Sequence, residues 1–278
     1  MDIWQAVLLG IVEGLTEFLP VSSTGHLTIT EKLLGLRIDD PGVTAYTAVI
    51  QIGAIAAAII YFRRDIVRFV MGFVRGVASA EGRQSADWRM ALNVIVGSIP
   101  IGVAGLVAKP LIEGPLRSMW VVANMLIAWC LVMVFAEYRA TQKRAEGDVT
   151  LKDAVIIGAA QSIALVPGVS RSGATISAGL LLGIDRVTAT RLSFFLGIPA
   201  LTAAGLLEAV SQADHISATI GWTATGVGIA VSFLVGYASI AWLLKFVANH
   251  SLVSFVWYRV LAGLAVIGLL AAGVISAS

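Results

Sequence analysis

The chain has 278 residues, of which 58% are hydrophobic and only 13% are charged, and its mean hydropathy is +0.90. Soluble domains carry about 25% charged residues, so this composition excludes an ordinary soluble protein and indicates one that crosses a membrane. The formal net charge is only +2, and without a concentrated basic patch the sequence predicts no nucleic-acid partner. The single cysteine excludes a disulfide framework within the chain.

Six apolar segments are long enough to cross a bilayer, which takes about 20 helical residues. They lie at about 43–62, 90–108, 119–138, 191–209, 219–244 and 253–274. Two further apolar segments are interrupted: 2–19 contains two glutamates, and 151–166 runs into Pro167-Gly168. Non-helical backbone survives at membrane depth only where it is buried in protein or faces water. Each interrupted segment therefore predicts a re-entrant helix–loop–helix hairpin that enters and leaves on one side.

The two interrupted segments are similar to each other at an offset of 148 residues. QAVLLGIVEGLTEFLPVSSTGH, residues 5–26, aligns without a gap with DAVIIGAAQSIALVPGVSRSGA, residues 153–174. Chance similarity between apolar helices is the alternative, but both stretches share the polar pattern Val-Ser-x-[Ser/Thr]-Gly. The sequence therefore predicts one membrane domain, 1–278, made of two repeats at about 1–138 and 151–278. Each repeat is a hairpin followed by three spanning helices.

Basic residues predict the orientation, because cytoplasmic loops carry the excess of Lys and Arg. The segments 63–89 and 139–152 hold ten of them, and Arg186, Arg191 and Lys245 bring that side to thirteen. The four on the other side are Lys32, Arg37, Lys109 and Arg117. With three spans per half, the two repeats are inverted, and their hairpins enter from opposite sides. The predicted fold class is an all-α polytopic membrane protein with six transmembrane helices and two re-entrant hairpins in inverted repeats.

The first hairpin carries the motif EGLTEFLPVSSTGH, residues 13–26. Glu13 and Glu17 are four residues apart and share a helix face. In a low-dielectric setting they share a proton, bind a metal ion such as Mg²⁺ or Ca²⁺, or pair with an arginine. His26 is either a helix cap or a catalyst, acting as a general base or attacking phosphorus itself. The residues before it form a hydroxyl-rich loop: Ser22, Ser23, Thr24 and Gly25.

The second hairpin carries the motif PGVSRSGATIS, residues 167–177, with Arg171 at its centre. An ionisable residue at membrane depth indicates a functional site, and a guanidinium among hydroxyls is typical of a phosphate clamp. The alternative is that Arg171 pairs with a glutamate to hold the hairpins together. Arg259 is interpreted as a snorkelling or interfacial residue, and Gln51 as a partner in a helix–helix hydrogen bond. The small and hydroxyl residues around Arg171 are Ser170, Ser172, Gly173 and Thr175.

Together the two motifs resemble the signature stretches of the bacterial undecaprenyl-pyrophosphate phosphatase family of the bacitracin-resistance type. The likeness extends over nearly the whole chain in length, hairpin placement and span count. It implies removal of the terminal phosphate from undecaprenyl diphosphate, which recycles the lipid carrier of peptidoglycan synthesis. It also implies a divalent cation and a site that faces the periplasm or outside from the bacterial cytoplasmic membrane.

Carried over by motif, the resemblance implies that Glu17, Ser23, His26 and Arg171 are catalytic and that Glu13 and Glu17 bind the metal. From the hydroxyl groups and small residues of the two motifs, the sequence predicts these substrate-binding residues: Ser22, Thr24, Gly25, Ser170, Ser172, Gly173 and Thr175. The sequence leaves open whether Ser23 or His26 is the nucleophile, which metal is used, and whether the chain forms a homodimer.

Two other functions fit parts of the pattern. A transporter or flippase also uses inverted repeats and broken helices, but it has no need of an activated nucleophile. The phosphatidic-acid phosphatase type has Pro-Ser-Gly-His and Ser-Arg motifs that STGH and VSRSG faintly resemble. That type needs a second histidine soon after the Ser-Arg pair, whereas the next histidine after Arg171 is His215, in a predicted external loop.

Overall fold

The computed structural model describes residues 1–38 and 40–277, apart from the side chains of Glu113 and Arg117. Arg117, one of the four basic residues predicted on the outer side, therefore lies outside the described side chains. The described residues form thirteen α-helices joined by short turns, and no β-strand occurs among them. The all-α fold class is confirmed.

The first seven helices are α1 (Ile3–Thr16), α2 (Ser23–Leu33), α3 (Pro41–Tyr61), α4 (Arg63–Ala78), α5 (Ala86–Val107), α6 (Lys109–Glu113) and α7 (Met119–Arg139). The other six are α8 (Leu151–Ile163), α9 (Arg171–Leu181), α10 (Arg186–Ser211), α11 (Ala213–His215), α12 (Trp222–Val247) and α13 (Val253–Ala271). Within the described residues, α3, α5, α7, α10, α12 and α13 have the length and hydropathy of membrane-spanning helices. These six helices confirm the six predicted spans.

The largest shift in a span boundary is at the start of α10. Hydropathy placed the start at residue 191, whereas α10 begins at Arg186. The Asp185 side chain caps the helix by accepting a hydrogen bond from the Thr188 backbone N–H at 2.9 Å. A polar capped turn of this kind extends a helix beyond its apolar segment, which hydropathy alone does not register.

Both interrupted segments form the predicted helix–loop–helix pairs, and their local structures match. Ser22 precedes α2 and Ser170 precedes α9, and both serines have a φ of 78°. Each serine Oγ accepts a hydrogen bond from the backbone N–H three residues on, at 3.4 and 3.2 Å. Positive φ is uncommon for residues other than glycine, so its occurrence at equivalent positions supports the internal repeat. Re-entry of each pair from one side of a bilayer remains a prediction.

The two halves of the chain interlock. In the first half α1 and α3 pack against α12, and in the second half α8 and α10 pack against α5. The last helices of the halves, α7 and α13, pack against each other. Glycines allow the closest approach: a Cβ on Gly14 would lie 2.8 Å from Gly236 N, and one on Gly158 would lie 2.0 Å from Gly97 O. Each hairpin is therefore held by a helix of the other half, which fixes its loop in the interior.

The Arg-rich segment 63–89 is not a plain loop. It contains α4, the start of α5 and a short 3₁₀ turn at Gly82–Gln84. Hydropathy misses α4 because arginines interrupt its apolar residues and lower the average. The helix is nevertheless amphipathic, with its apolar residues spaced three and four apart.

Candidate active site

The two hairpin loops, residues 17–22 and 164–170, touch each other directly. The Gly168 backbone N–H donates a hydrogen bond to Ser22 Oγ at 3.1 Å. From the other loop's helix, Ser172 Oγ donates to the Leu19 carbonyl at 2.9 Å. A Cβ on Gly168 would lie 2.5 Å from the Val122 carbonyl oxygen of α7, so glycine is needed for this approach. The site is thus assembled from residues about 150 positions apart in sequence.

Arg171 and Glu17 form an ion pair across the two loops. Arg171 Nη2 and Nε lie 3.1 and 3.3 Å from Glu17 Oε1, and Arg171 Nη1 donates to the Ser193 carbonyl of α10 at 2.8 Å. The side chains are only 9% and 3% exposed, respectively. The sequence leaves three possibilities for the two carboxylates: a shared proton, a bound metal ion or an ion pair with an arginine. In this structure Glu17 forms the ion pair with Arg171.

The second oxygen of Glu17 accepts two more hydrogen bonds. Ser23 Oγ donates to Glu17 Oε2 at 2.6 Å, a length typical of a hydroxyl bound to a carboxylate. Gln51 Nε2 donates to the same oxygen at 3.3 Å. The sequence predicts a helix–helix hydrogen bond for Gln51, and in the structure this bond joins α3 to Glu17, the residue that caps the end of α1.

His26 makes its ring contacts with Ser22 and with Tyr258 of α13. Its Nδ1 lies 2.8 Å from the Ser22 carbonyl oxygen, which only accepts, so this nitrogen carries the proton in the neutral ring. Its Nε2 then accepts from the Tyr258 hydroxyl at 2.7 Å, and the two rings stack with centroids 5.5 Å apart. Both nitrogens are therefore engaged, and neither has Arg171 as its partner. Tyr258 was not singled out from the sequence.

Glu13 is fully buried, and neither of its carboxylate oxygens has a hydrogen-bond partner among the described residues. A buried carboxylate without hydrogen-bond partners is unfavourable unless it is protonated or lies next to a cation. Oxygen donors of this kind suit Mg²⁺ or Ca²⁺. The described residues contain no cluster of three or more His, Cys, Asp or Glu placed to hold an ion, so among them at most two such side chains would share one here.

A cavity of about 310 Å³ reaches these groups. Glu13, Ser23, Thr24 and Gln51 line it near the loops, together with Pro167 of the second loop. Farther along, Thr44 near the start of α3 and Glu208 near the end of α10 also line it. The cavity therefore extends towards the end of the molecule where few basic residues were counted.

Arg259 is fully buried, which contradicts its interpretation as a snorkelling or interfacial residue. Its guanidinium donates to carbonyl oxygens of both hairpin loops and of α7: Pro20 at 3.0 Å, Gly168 at 2.8 Å, Val169 at 3.2 Å, Leu126 at 3.2 Å and Met125 at 3.4 Å. Loops without helical hydrogen bonds leave carbonyls that need donors, and arginine offers five. The sequence feature that could have indicated this buried role is the position of a charged residue well inside an apolar span.

Most of the residues predicted to bind substrate have internal partners in this structure. Ser22, Ser170 and Ser172 join or cap the loops as described above, and Thr175 Oγ1 donates to Ser193 Oγ at 2.7 Å. Gly25 permits close contact, since its Cβ would lie 3.2 Å from Val122 Cγ1. Gly173 N donates to the Ser170 cap, whereas Thr24 is exposed to the cavity. Substrate binding by these residues remains a prediction.

Known proteins match the chain over its whole length. The family model described as bacitracin resistance protein BacA matches residues 6–265. Undecaprenyl-diphosphatase 3 of Frankia casuarinae is 55% identical over 278 residues, covering all of both chains. Undecaprenyl-diphosphatase of Cutibacterium acnes is 53% identical, again over both complete chains, and that of Acidothermus cellulolyticus is 54% identical over 98% of each.

Proposed function

We infer the chemistry of the site from one premise: the chain belongs to the bacitracin resistance protein BacA family and is an undecaprenyl-diphosphatase. It hydrolyses undecaprenyl diphosphate to undecaprenyl phosphate and phosphate within the membrane that its six apolar helices cross. This reaction returns the lipid carrier to peptidoglycan synthesis and accounts for bacitracin resistance.

Ser23 is the nucleophile in the mechanism we propose, and the 2.6 Å hydrogen bond from its Oγ to Glu17 Oε2 is the observation that supports it. As Oγ attacks the terminal phosphorus, its proton passes to Glu17. The bond between that phosphorus and the bridging oxygen breaks, and undecaprenyl phosphate leaves with the electron pair. His26 is the weaker candidate, because both of its nitrogens already have partners.

Arg171 binds the diphosphate. Its guanidinium offers a planar fork of donors that suits two phosphate oxygens, and the Ser193 carbonyl fixes one end of that fork. Glu17 neutralises the arginine in the absence of substrate. When a diphosphate enters, its oxygens replace the Glu17 carboxylate at the guanidinium, which leaves Glu17 free to accept the serine proton.

His26 acts in the second step. The Ser22 carbonyl holds its Nδ1 proton, so Nε2 presents the lone pair. Once the Tyr258 hydroxyl moves aside, Nε2 accepts a proton from the water that attacks the phosphoserine. The serine–phosphorus bond breaks, and the proton that Glu17 took from Ser23 returns to the serine oxygen.

Glu13 fits a divalent cation, Mg²⁺ or Ca²⁺, because both of its buried oxygens lack partners among the described residues. Glu17, the second carboxylate implied as a ligand, already accepts hydrogen bonds from Arg171, Ser23 and Gln51. We therefore assign the ion mainly to Glu13. When bound, the ion would supply positive charge to the phosphate oxygens.

The orientation is part of the proposal. Ile112, Thr44 and Glu208 line the part of the cavity that lies towards the ends of helices opposite the Arg-rich segments. The excess of Lys and Arg in those segments supports a cytoplasmic position for them. The site would then open to the periplasm or outside of the bacterial cytoplasmic membrane, and the polyprenyl tail would stay in lipid between the spans.

The test is phosphate release from undecaprenyl diphosphate by the purified chain in detergent, without any gradient. We expect release that stops on addition of a chelator and returns with Mg²⁺ or Ca²⁺. Release that is indifferent to a chelator would overturn the metal assignment alone. No release from protein that binds the lipid diphosphate would favour a transporter or flippase instead.

A further inference from the structure

The amphipathic helix α4, Arg63–Ala78, has a buried face that is fixed by two glycines. A Cβ on Gly72 would lie 2.6 Å from Asp87 Cβ, and one on Gly76 would lie 2.1 Å from the Trp88 ring. Phe69, on the same face, packs edge-on against Phe195 of α10 with ring centroids 5.1 Å apart. Close packing of this kind settles which face of α4 points outward.

The outward face is a stripe of large apolar side chains three or four residues apart. They are Val67, Val70, Met71, Val74 and Val77, and each is 45% to 60% exposed. The stripe is continuous with exposed isoleucines of two spanning helices, because Val70 lines one apolar cavity together with Ile59 of α3 and Ile95 of α5. Because those helices face lipid, the continuity indicates that the stripe meets the bilayer as well.

One edge of the stripe is basic. At 100° per residue, Arg64, Arg68 and Arg75 fall within about 40° of one another around the helix. Arg68 is held by Asp87 at 2.9 Å and by Asp65 at 3.3 Å. Arg64 and Arg75 are exposed, and within residues 1–38 and 40–277 neither has an ion-pair partner. Two exposed guanidinium groups without an ion-pair partner, beside an apolar stripe, suit an anionic counterpart at a membrane surface.

The other edge of α4 borders an apolar cavity of about 330 Å³. Ile66, Val70 and Phe73 line it from α4, and Ile95 and Pro199 line it from the spanning helices α5 and α10. Its lining includes no charged residue, so it suits a hydrocarbon chain.

We propose that α4 lies in the membrane interface and binds anionic phospholipid, with Arg64 and Arg75 on the headgroup phosphates and the apolar stripe among the acyl chains. Guanidinium groups pair well with phosphate, and basic residues near an anionic leaflet are attracted to it. A second copy of the chain fits less well. The single carboxylate of α4, Asp65, is held by Arg68 and Arg191, so paired α4 helices would bring arginine against arginine.

The first experiment measures lipid enrichment around the full-length protein. The protein is reconstituted in vesicles of phosphatidylcholine and phosphatidylglycerol, extracted gently, and its retained lipids are counted by mass spectrometry. We expect phosphatidylglycerol to be enriched about fivefold over the bulk, and Arg64→Gln with Arg75→Gln to abolish the enrichment. The matched control is Arg139→Gln with Lys143→Gln, which removes two exposed basic residues from the same side and should preserve it. Equal enrichment in both double variants overturns the proposal.

The second experiment measures how deeply the outward face of α4 lies in the bilayer. A nitroxide on Val74→Cys should be reached by oxygen and shielded from a water-soluble nickel chelate in vesicles, while one on the exposed Glu81→Cys should show the reverse. The native Cys130 is buried and should not compete for label. A Val74→Cys label that the chelate reaches, or that cross-links to a second copy, overturns the proposal. Neither readout depends on phosphatase activity, so failure here leaves the catalytic assignment untouched.

Discussion

Arg171 Nη2 lies 3.1 Å from Glu17 Oε1, and this buried ion pair joins the two hairpin loops. The pair does two things. It keeps an arginine from being an uncompensated charge at membrane depth, and it places the guanidinium beside the carboxylate that accepts a hydrogen bond from Ser23. A diphosphate that binds Arg171 would therefore also remove the ion pair from Glu17, the carboxylate that accepts the serine proton.

Arg171→Lys should lower phosphate release on the order of 100-fold. An ammonium group is a compact donor and does not span the Ser193 carbonyl and two phosphate oxygens as the guanidinium fork does. The measurement is kcat for undecaprenyl diphosphate in detergent. Arg139→Lys, an exposed exchange of the same kind, is the control and should retain normal turnover. Near-normal turnover in Arg171→Lys would reject the clamp.

Ser23→Ala and His26→Ala should differ in the covalent intermediate. With substrate labelled in its terminal phosphate and an acid quench, Ser23→Ala should yield no labelled protein, because the attacking oxygen is gone. His26→Ala should accumulate label, because the second step slows. Thr47→Ala removes a cavity hydroxyl that belongs to neither motif, and this variant should label normally. Labelling that survives Ser23→Ala and disappears in His26→Ala would assign the nucleophile to His26 instead.

The spanning helices were predictable because long apolar segments dominate the local sequence, and the broken hairpins because Pro167-Gly168 and the paired glutamates interrupt such segments. The repeat at offset 148 also anticipated the matching caps at Ser22 and Ser170. These features depend on neighbours in sequence, so periodicity and composition reveal them.

Contacts between distant residues were not predictable in the same way. Arg259 bonds to Pro20 across 239 positions and Tyr258 to His26 across 232, and no local pattern indicates either partner. The sequence grouped His26 with Arg171 because both motifs are polar. It did not show that Tyr258 would draw the imidazole towards α13. Helix α4 was missed for a different reason, since its arginines obscured an apolar stripe.

Arg259→Met should destabilise the fold by about 2–4 kcal/mol, because several buried carbonyls of the two loops and α7 lose a charged donor. A lower Tm in detergent and a loss of activity are expected together. Arg259→Lys should recover part of the Tm, because an ammonium still satisfies up to three acceptors. If Arg259→Met keeps the wild-type Tm, the carbonyl contacts do not hold the loops.

Asp153→Asn should make stability less dependent on pH. Burial alone would raise the pKa of Asp153, but hydrogen bonds from Arg144 and Thr150 outweigh burial, and the pKa is lowered from its ordinary value. A lowered pKa in the folded state contributes stability above the unfolded pKa and loses it as pH falls through the folded one. The variant should therefore have a lower Tm at neutral pH, and the difference should shrink below about pH 4. A Tm difference between the wild type and Asp153→Asn that stays constant as pH falls would contradict a contribution of the Asp153 carboxylate to stability.

Gly53→Ala and Gly102→Ala test the packing of the spanning helices. A Cβ on Gly53 of α3 would lie 2.2 Å from the Ile229 carbonyl oxygen and 3.0 Å from Phe233 N, both backbone atoms of α12, whereas a Cβ on Gly102 of α5 meets nothing within 4 Å. Backbone does not move aside cheaply, so Gly53→Ala should cost about 1–3 kcal/mol and lower the Tm. Gly102→Ala should leave the Tm unchanged or raise it slightly, because alanine favours a helix by up to about 1 kcal/mol over glycine. Since the substitution is the same at both positions, equal Tm changes would mean that helix propensity, rather than the α3–α12 contact, decides the outcome.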